Sequence, residues 1–431
     1  MRLRMQLEMI STLSKSLVAA CLISGALVSA PAQAAPSLVA DLVTGEVITQ
    51  EDATRAWYPA SLTKIMTAYV ALNAVREGRV ALDTPFVMSM RAAKAAPSKM
   101  GFNPGTEVTL DNALKMLMVK SANDIAIMIA EGISGSVEDF ALEMNDAARK
   151  LGMRKSFFIN PNGLHDPRHV SSARDMAVLA RALYKSFPEA ADFYGIGALK
   201  LDDKIIPTHN GLLGRYPGAD GMKTGFVCAS GFNVVASAQR DGRHLVVVVF
   251  GSPNAKLRTL KAADLFDKGF AAWGGQRANL NNLPDIAGPA PNMRDEICGK
   301  NRKTLQEDDL AIVAPQGSDK RALITGPRPL FEPVDIFVGR KSGWTGQVAQ
   351  ARAAPSAAAL AAIPAAGAIA YANASSVGAK ASQAISVKSP PTKKAVVKKK
   401  TKAKKPAAKK PVVSGPVKVT PVTNQSKAAV Q

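Results

Sequence analysis

The strongest constraint on the fold comes from two apolar runs late in the chain, FNVVASAQ at residues 232–239 and HLVVVVFG at residues 244–251. Asp241-Gly242 lies between them, and Asp-Gly between apolar, β-branched runs is typical of a tight β-hairpin turn. A hairpin alone is at best marginally stable in water, so other parts of the chain must pack against it.

A second hairpin is predicted near the start of the chain. Residues 37–50, SLVADLVTGEVITQ, place apolar residues on both sides of Thr44-Gly45. Between the two hairpins, and again after the C-terminal one, the spacing of apolar residues is helical. Helices are predicted over residues 62–77, 110–119 (after the capping residue Thr109), 125–131 and 137–150, after the capping box Ser172-x-x-Asp175, and over residues 257–273. We therefore predict an α+β fold, in which a central antiparallel sheet built from both ends of the domain has flanking helices and a helical subdomain.

The first 34 residues are predicted to be a secretory signal peptide. Basic residues precede the apolar run 17–28, and Ala32-Gln33-Ala34 offers the small residues that a signal peptidase reads. A buried N-terminal helix is the alternative interpretation. A signal peptide would direct the protein across the inner membrane to the periplasm or cell envelope.

The C-terminal tail carries most of the charge. The chain of 431 residues has a formal charge of +21, and residues 351–431 contain Arg352, fourteen lysines and no acidic residue. Such an Ala/Pro/Lys-rich composition is typical of disorder. For an exported protein we expect electrostatic contact between this tail and the anionic cell envelope, and no nucleic acid partner. The remaining chain is divided into a main domain at 35–275 and a small β-rich or extended appendage at 276–350.

Cysteine and histidine usage argues against a metal site. Only Cys228 and Cys298 remain once residues 1–34 are removed, and whether they form a disulfide or remain two packed thiols is left open by the sequence. The four histidines show no metal-ligand spacing, and structural or solvated roles are expected for them. We predict neither a metal nor a cofactor.

Three short strings carry the chemistry: SLTK at residues 61–64, SAN at 121–123 and KTG at 223–225. Ser61 and Lys64 stand three apart at the start of a predicted helix, so both side chains lie on one face and the amine can reach the hydroxyl. Serine needs a base to become a good nucleophile, and lysine acts as one only when burial or a second cation lowers its pKa. Lys223 is expected to supply that cation if the KTG strand lies beside the helix.

The other residues of these strings receive supporting roles. Ser121 is expected to relay a proton, and Asn123 to hold a substrate amide and position the relay. Lys223 and Thr224 can hold a carboxylate, while Gly225 lets substrate backbone approach the strand. The backbone N–H groups of Ser61 and Phe226 are the candidate oxyanion hole.

Taken in order, the three strings resemble those of the D-alanyl-D-alanine carboxypeptidases, the low-molecular-mass penicillin-binding protein family of serine peptidases. YPASLTKIMTAYVAL, NPNGL, SSARDMAVLARAL and GADGMKTGF extend the resemblance over residues 36–275. It implies a β-lactamase/penicillin-binding transpeptidase-like fold and an acyl-enzyme on Ser61. The implied partners are peptidoglycan stem peptides, which lose their terminal D-Ala, and β-lactam antibiotics as acylating inhibitors. Arg258 matches the family arginine that holds the terminal carboxylate.

Three alternatives stay open at this point. A β-lactamase uses the same acylating groups, although residues 150–210 show no convincing glutamate loop of the kind that activates water in class A enzymes. A D,D-transpeptidase would differ from a carboxypeptidase only in passing the acyl group to an amine. A D,D-endopeptidase would differ only in cleaving a peptide cross-link. A non-catalytic cell-wall-binding protein would retain the fold, but the presence of Ser61, Lys64 and Lys223 argues against it.

Overall fold

The computed structural model describes residues 35–272, 278–300 and 330–352. The signal peptide predicted for residues 1–34 and the basic tail beyond residue 352 lie outside the described residues. All described residues belong to one unit of the chain. No helix within these ranges is long and apolar enough to cross a membrane.

Both predicted hairpins belong to one antiparallel sheet. The strands of this five-stranded sheet in the described chain are β1 (Ser37–Asp41), β2 (Val47–Glu51), β7 (Ala219–Val227), β8 (Gly231–Arg240) and β9 (Arg243–Ser252), in the spatial order β2-β1-β9-β8-β7. The two ends of the domain meet where Val39 of β1 lies opposite Val247 of β9. This confirms the prediction of a sheet built from both ends, and it leaves β7, which carries KTG, at an edge.

The sheet is covered on both faces, which explains the continuous apolar run in β9. Side chains alternate between the faces of a strand, so Val247 and Val246 point to opposite sides. Val247 packs in a core cluster with Phe266 of helix α8 (Ala255–Ala271), whereas Val246 belongs to the larger cluster shared with the other helices.

The helices begin at the caps that the sequence contains. Beyond α8, the described helices of ten or more residues are α1 (Thr63–Arg76), α3 (Leu110–Val119), α4 (Asn123–Ser134), α5 (Val137–Lys150) and α6 (Ala173–Ser186), and the short ones are α2 (Met90–Ala93), α7 (Ala191–Tyr194) and α9 (Arg294–Cys298). Thr109 and Ser172 accept hydrogen bonds from Asn112 N–H and Asp175 N–H, as the capping patterns predict. Helix α4 begins two residues earlier than predicted, which places Asn123 of SAN on its first turn.

Short strands complete the described structure. They are β3 (Pro85–Val87), β4 (Glu107–Thr109), β5 (Ala198–Leu201), β6 (Lys204–Pro207) and β10 (Val334–Ile336). β3 pairs with β4, while β5 pairs with both β6 and β10. β10 lies in the appendage predicted at residues 276–350, and it joins a sheet of the main domain.

The described parts of residues 276–350 run mainly as extended chain over the main domain. Val47 N–H donates to Ala278 O at 2.8 Å, and Thr54 Oγ1 donates to Pro284 O at 2.7 Å. Farther along, Ala349 N–H donates to Pro85 O at 2.8 Å. These hydrogen bonds join the described parts of the segment to β2, to the turn after β2 and to β3.

Candidate active site

The nucleophile lies in a short 3₁₀ turn, Ala60–Leu62, that leads into α1. Ser61 is half-buried at the middle of this turn, and Lys64 stands one turn later on the same face. Lys64 Nζ lies 3.1 Å from Ser61 Oγ. The SLTK spacing therefore places an amine directly against a serine hydroxyl, as predicted.

Lys64 is fully buried, and its surroundings favour the neutral amine. Its Nζ donates to Asn123 Oδ1 at 2.8 Å and to the backbone carbonyl of Asn162 at 2.6 Å. Burial holds the pKa of Lys64 well below its usual value, and the positive charge of Lys223 lowers this pKa further. A neutral amine has two N–H donors and one lone pair. With both donors used by the two carbonyl oxygens, the lone pair is left for the Ser61 O–H.

The SAN string joins α3 to α4 at the same place. Asn123 Oδ1 accepts a hydrogen bond from the Lys64 amine, and Asn123 Nδ2 donates to Ala96 O at 2.9 Å. Ser121 takes a left-handed backbone conformation with φ of 61°, and its buried Oγ has no hydrogen-bond partner among the described residues. Ser121 also lines the cavity beside Ser61. This hydroxyl is thus available to exchange a proton with a bound molecule.

The KTG strand lies against the nucleophile turn. A Cβ atom at Gly225 would come within 2.9 Å of Pro59 O and 3.1 Å of Ser61 N. The sequence interpretation assigned this glycine to the approach of substrate, whereas the structure shows that the turn itself requires it. Any larger residue would displace Ser61.

Lys223 is buried beside this contact, and its amine donates to Thr224 O at 3.0 Å. Burial, with a second contribution from the positive charge of Arg258, lowers the pKa of Lys223 to about 7. Arg258 lies in the first turns of α8 and is itself buried. These cations form an electropositive region next to Thr224, suited to a carboxylate.

The predicted site residues border one cavity of about 830 Å³. Its lining includes Ser61, Ser121, Asn123, Thr224, Gly225, Phe226 and Arg258, while Lys64 and Lys223 are buried and do not line it. The Phe226 ring is exposed and packs on Phe232 with ring centroids 4.2 Å apart. Within the described residues, no cluster of three or more His, Cys, Asp or Glu side chains is arranged to hold a metal.

Asn233 supports the site and was missed by the sequence analysis. It lies on β8 directly opposite Gly225 and is completely buried. Its Nδ2 donates to Tyr58 O at 3.0 Å, and its Oδ1 accepts from Gly251 N–H at 3.0 Å. An asparagine inside the apolar run FNVVASA was the available signal, because a buried amide needs partners.

Cavity residues without a role predicted from the sequence include His165, His209, Arg215 and Arg294. The expectation of a structural role fits His169. His169 is buried, accepts from Ile159 N–H on Nδ1 at 3.2 Å and lies 2.9 Å from Thr63 Oγ1 on Nε2. Desolvation lowers the pKa of His169 to about 3, so the ring is neutral and holds the start of α1.

The cysteine question left open by the sequence has a definite answer. Cys228 and Cys298 form a disulfide, with Cα atoms 5.7 Å apart across a separation of 70 residues. Cys228 follows β7 and lines the cavity, so the bridge ties α9 to the cavity rim. Cys228 is therefore neither a free thiol nor an isolated packing residue.

Sequence comparison matches residues 25–254 to the peptidase S11 family, described as D-alanyl-D-alanine carboxypeptidase. The D-alanyl-D-alanine carboxypeptidase DacF of Bacillus subtilis is 35% identical over 220 residues, which cover 50% of this chain and 56% of that protein. The corresponding DacC of Escherichia coli is 33% identical over 287 residues, covering 60% of this chain and 71% of that protein. The chain thus spans little more than half the length of the Bacillus relative.

Solved structures support the same fold. Penicillin binding protein 5 of Haemophilus influenzae matches with a TM-score of 0.54 and 33% identity, over 56% of this chain and 71% of that chain. Penicillin-Binding Protein D2 of Listeria monocytogenes, in its cefotaxime-bound form, matches with a TM-score of 0.51 and 27% identity, over 55% and 97% respectively. These matches confirm the predicted fold class.

Replacing Asn233 by alanine should lower the free energy of unfolding by about 2 kcal/mol, because buried backbone groups lose their partners. Urea denaturation followed by circular dichroism measures this change. Asn281→Ala is the matched control on the exposed surface and should change stability by less than about 0.5 kcal/mol. Equal stability of the two variants would contradict a supporting role for Asn233.

Proposed function

Because the chain belongs to the D-alanyl-D-alanine carboxypeptidase family of serine peptidases, we propose that it removes the terminal D-Ala from peptidoglycan stem peptides through an acyl-enzyme on Ser61. One observation carries the proposal. The buried amine of Lys64 contacts Ser61 Oγ while its other contacts are the carbonyl oxygens of Asn123 and Asn162. This arrangement creates a general base for a serine without using a histidine.

Acylation begins when neutral Lys64 takes the proton of the Ser61 hydroxyl. Ser61 Oγ then attacks the carbonyl carbon between the two terminal D-alanines and forms a tetrahedral intermediate. The backbone N–H groups of Ser61 and Phe226 stabilise its negative oxygen in this proposal. Support comes from the contact of Gly225 with the nucleophile turn, which brings these two neighbouring backbones together.

Collapse of the intermediate breaks the peptide bond and expels D-Ala. The proton held by Lys64 passes to the leaving nitrogen, and Ser121 relays it, because its hydroxyl lines the cavity without another partner in the described chain. Asn123 positions Lys64, and the second N–H of its amide group is available to the substrate. The terminal carboxylate binds Thr224 and Arg258 in the field of Lys223.

Deacylation repeats the proton transfer with water. A water molecule gives a proton to Lys64 and attacks the ester carbonyl, and Ser61 recovers its proton as the shortened peptide leaves. A β-lactam would acylate Ser61 in the same way, which makes these antibiotics the proposed inhibitors. The cefotaxime-bound relative from Listeria supports this assignment.

We assign this chemistry to residues 35–275 and assign residues 276–350 to a wrap over that domain. Residues 1–34 are proposed to direct export to the periplasm, where peptidoglycan is accessible. The fourteen lysines beyond residue 352 are proposed to bind the anionic envelope.

Intact-mass analysis after incubation with benzylpenicillin is the direct test. The mature protein should gain one drug mass and release D-Ala from a peptide ending in D-Ala-D-Ala, whereas Ser61→Ala should do neither. Fast drug hydrolysis with little D-Ala release would instead identify a β-lactamase. Transfer of the acyl group to an amine would identify a transpeptidase, and absence of an adduct would leave a binding protein.

The pH dependence of acylation tests the role of Lys223. Lys64 must be neutral to accept the proton, so the rate should fall as pH drops through its pKa. Lys223→Gln removes the neighbouring positive charge, raises the pKa of Lys64 and should move this acidic limb to higher pH. Rates of benzylpenicillin acylation across pH measure the shift. Lys256→Gln, an exposed cavity cation, is the control, and an unmoved limb in Lys223→Gln would refute the coupling.

Deleting residues 380–431 tests the envelope contact. The full mature protein should sediment with isolated envelopes at low salt and dissociate as salt screens the lysines, whereas the truncated protein should stay in the supernatant. A full-length variant with these lysines changed to glutamine separates charge from length. Equal, salt-insensitive binding of all three proteins would rule out an electrostatic tether.

A further inference from the structure

The cavity extends to both sides of Ser61 along strand β7. Thr224 and Arg258 lie toward one end, where the proposed mechanism places the terminal carboxylate of the leaving D-Ala. The scissile carbonyl lies at Ser61, so the acyl part of the substrate must run the other way. Val227 and Cys228 line that direction. The two strand residues beyond Gly225, Phe226 and Val227, span roughly 7 Å, which is enough for about two residues of an extended peptide.

Arg294 lines the same cavity although it comes from the C-terminal region, beyond the main domain. It is the first residue of the short helix α9, and its side chain is exposed. His165 also lines the cavity, and the positive charge of Arg294 acts on its ring. Burial first, and then the positive charge of Arg294, lower the pKa of His165. A cation is therefore present at the rim of the cavity, near His165.

Arg294 is held in place from both sides. The preceding residue, Met293, donates its N–H to Ala229 O at 3.0 Å. Four residues after Arg294, Cys298 is bonded to Cys228. We call residues 293–298 the anchored segment. Both attachments reach the turn between β7 and β8, so the segment has a fixed position beside the end of the KTG strand.

The anchored segment lies beyond the residues that the family model matches. That match ends at residue 254, forty residues before Arg294. The residues that the proposed mechanism uses lie inside the matched region, except Arg258, which follows it by four residues. The anchored segment therefore adds a positive charge to the acyl side of the cavity. None of the three catalytic strings supplies this charge.

We propose that Arg294 is a specificity-determining residue that binds a carboxylate on the acyl side of the substrate, upstream of D-Ala-D-Ala. The disulfide positions it for this contact. The guanidinium group presents paired N–H donors that match the two oxygens of a carboxylate. The inference rests on the proposed function, because the direction of the substrate along β7 follows from that mechanism.

Two peptides provide the test. Both end in D-Ala-D-Ala, and the residue before that pair carries a side-chain carboxylate in one peptide and the corresponding carboxamide in the other. In Arg294→Ala, kcat/KM for D-Ala release from the carboxylate peptide should fall about fivefold, the range of an exposed ion pair. The carboxamide peptide should change by less than about twofold. The difference should disappear at high salt, since exposed charges are screened.

Three further variants separate charge, position and fold. Arg294→Lys should retain part of the preference, whereas Arg294→Glu should reverse it. Lys300→Ala removes a positive charge just after the anchored segment, and Lys300 does not line the cavity. This variant should prefer the carboxylate peptide as strongly as the unaltered protein does. Cys228→Ser combined with Cys298→Ser should reproduce the selective loss of Arg294→Ala. The rate of benzylpenicillin acylation checks that each variant retains a working Ser61.

Each outcome has a distinct meaning. Equal losses with both peptides, or no loss with either, would overturn the assignment of Arg294 while leaving the proposed function intact. A preference that survives in the cysteine variant would overturn positioning by the disulfide. Unaltered protein that reacts with benzylpenicillin but releases D-Ala from neither peptide, or that reacts with nothing, would overturn the proposed function and this inference with it.

Discussion

The burial of one amine beneath a serine hydroxyl is the constraint on which the rest of the site depends. Lys64 is removed from water, so its charged form is disfavoured, and Lys223 disfavours that form further. A buried lysine without partners would strongly destabilise the fold. The carbonyl oxygens of Asn123 and Asn162 supply those partners, and each comes from a different part of the chain. The helical subdomain and the following loop are therefore needed to keep this base in place.

The nucleophile turn is fixed by an equally close contact on its other side. Gly225 brings β7 against Pro59 and Ser61, and Asn233 on the neighbouring strand binds the carbonyl of Tyr58. Thus the central sheet has two roles. It carries the apolar core on both faces, and its edge strand packs against the turn that carries the reacting hydroxyl.

Local patterns in the sequence predicted the parts of the structure that are governed by local forces. The caps at Thr109 and Ser172 marked helix starts, and Asp241-Gly242 marked the turn between β8 and β9. The spacing of three residues within SLTK indicated that Ser61 and Lys64 face the same way on a helix. The resemblance to a known family predicted the fold that joins them.

Contacts between distant residues were beyond the reach of those patterns. Asn162 contributes its backbone carbonyl, and because every residue has one, the sequence does not indicate this contact. Arg294 stands in a segment without clear periodicity, and only the tertiary path of the chain brings it to the cavity. The pairing of Cys228 with Cys298 was left open for the same reason, since a separation of 70 residues carries no information about distance in space.

That pairing also determines how the protein would transmit mechanical load. Suppose that the basic tail is held by the envelope while the catalytic domain moves with its substrate. A pull from the tail would first strip the pairing of β10 and the contacts near Ala349, and would then reach Cys298. From there the force crosses the sulfur bridge to Cys228 at the end of β7, so it bypasses the intervening chain, which contains β8, β9 and α8. The disulfide would thus carry the pulling force in place of the chain segment that contains the central strands β8 and β9.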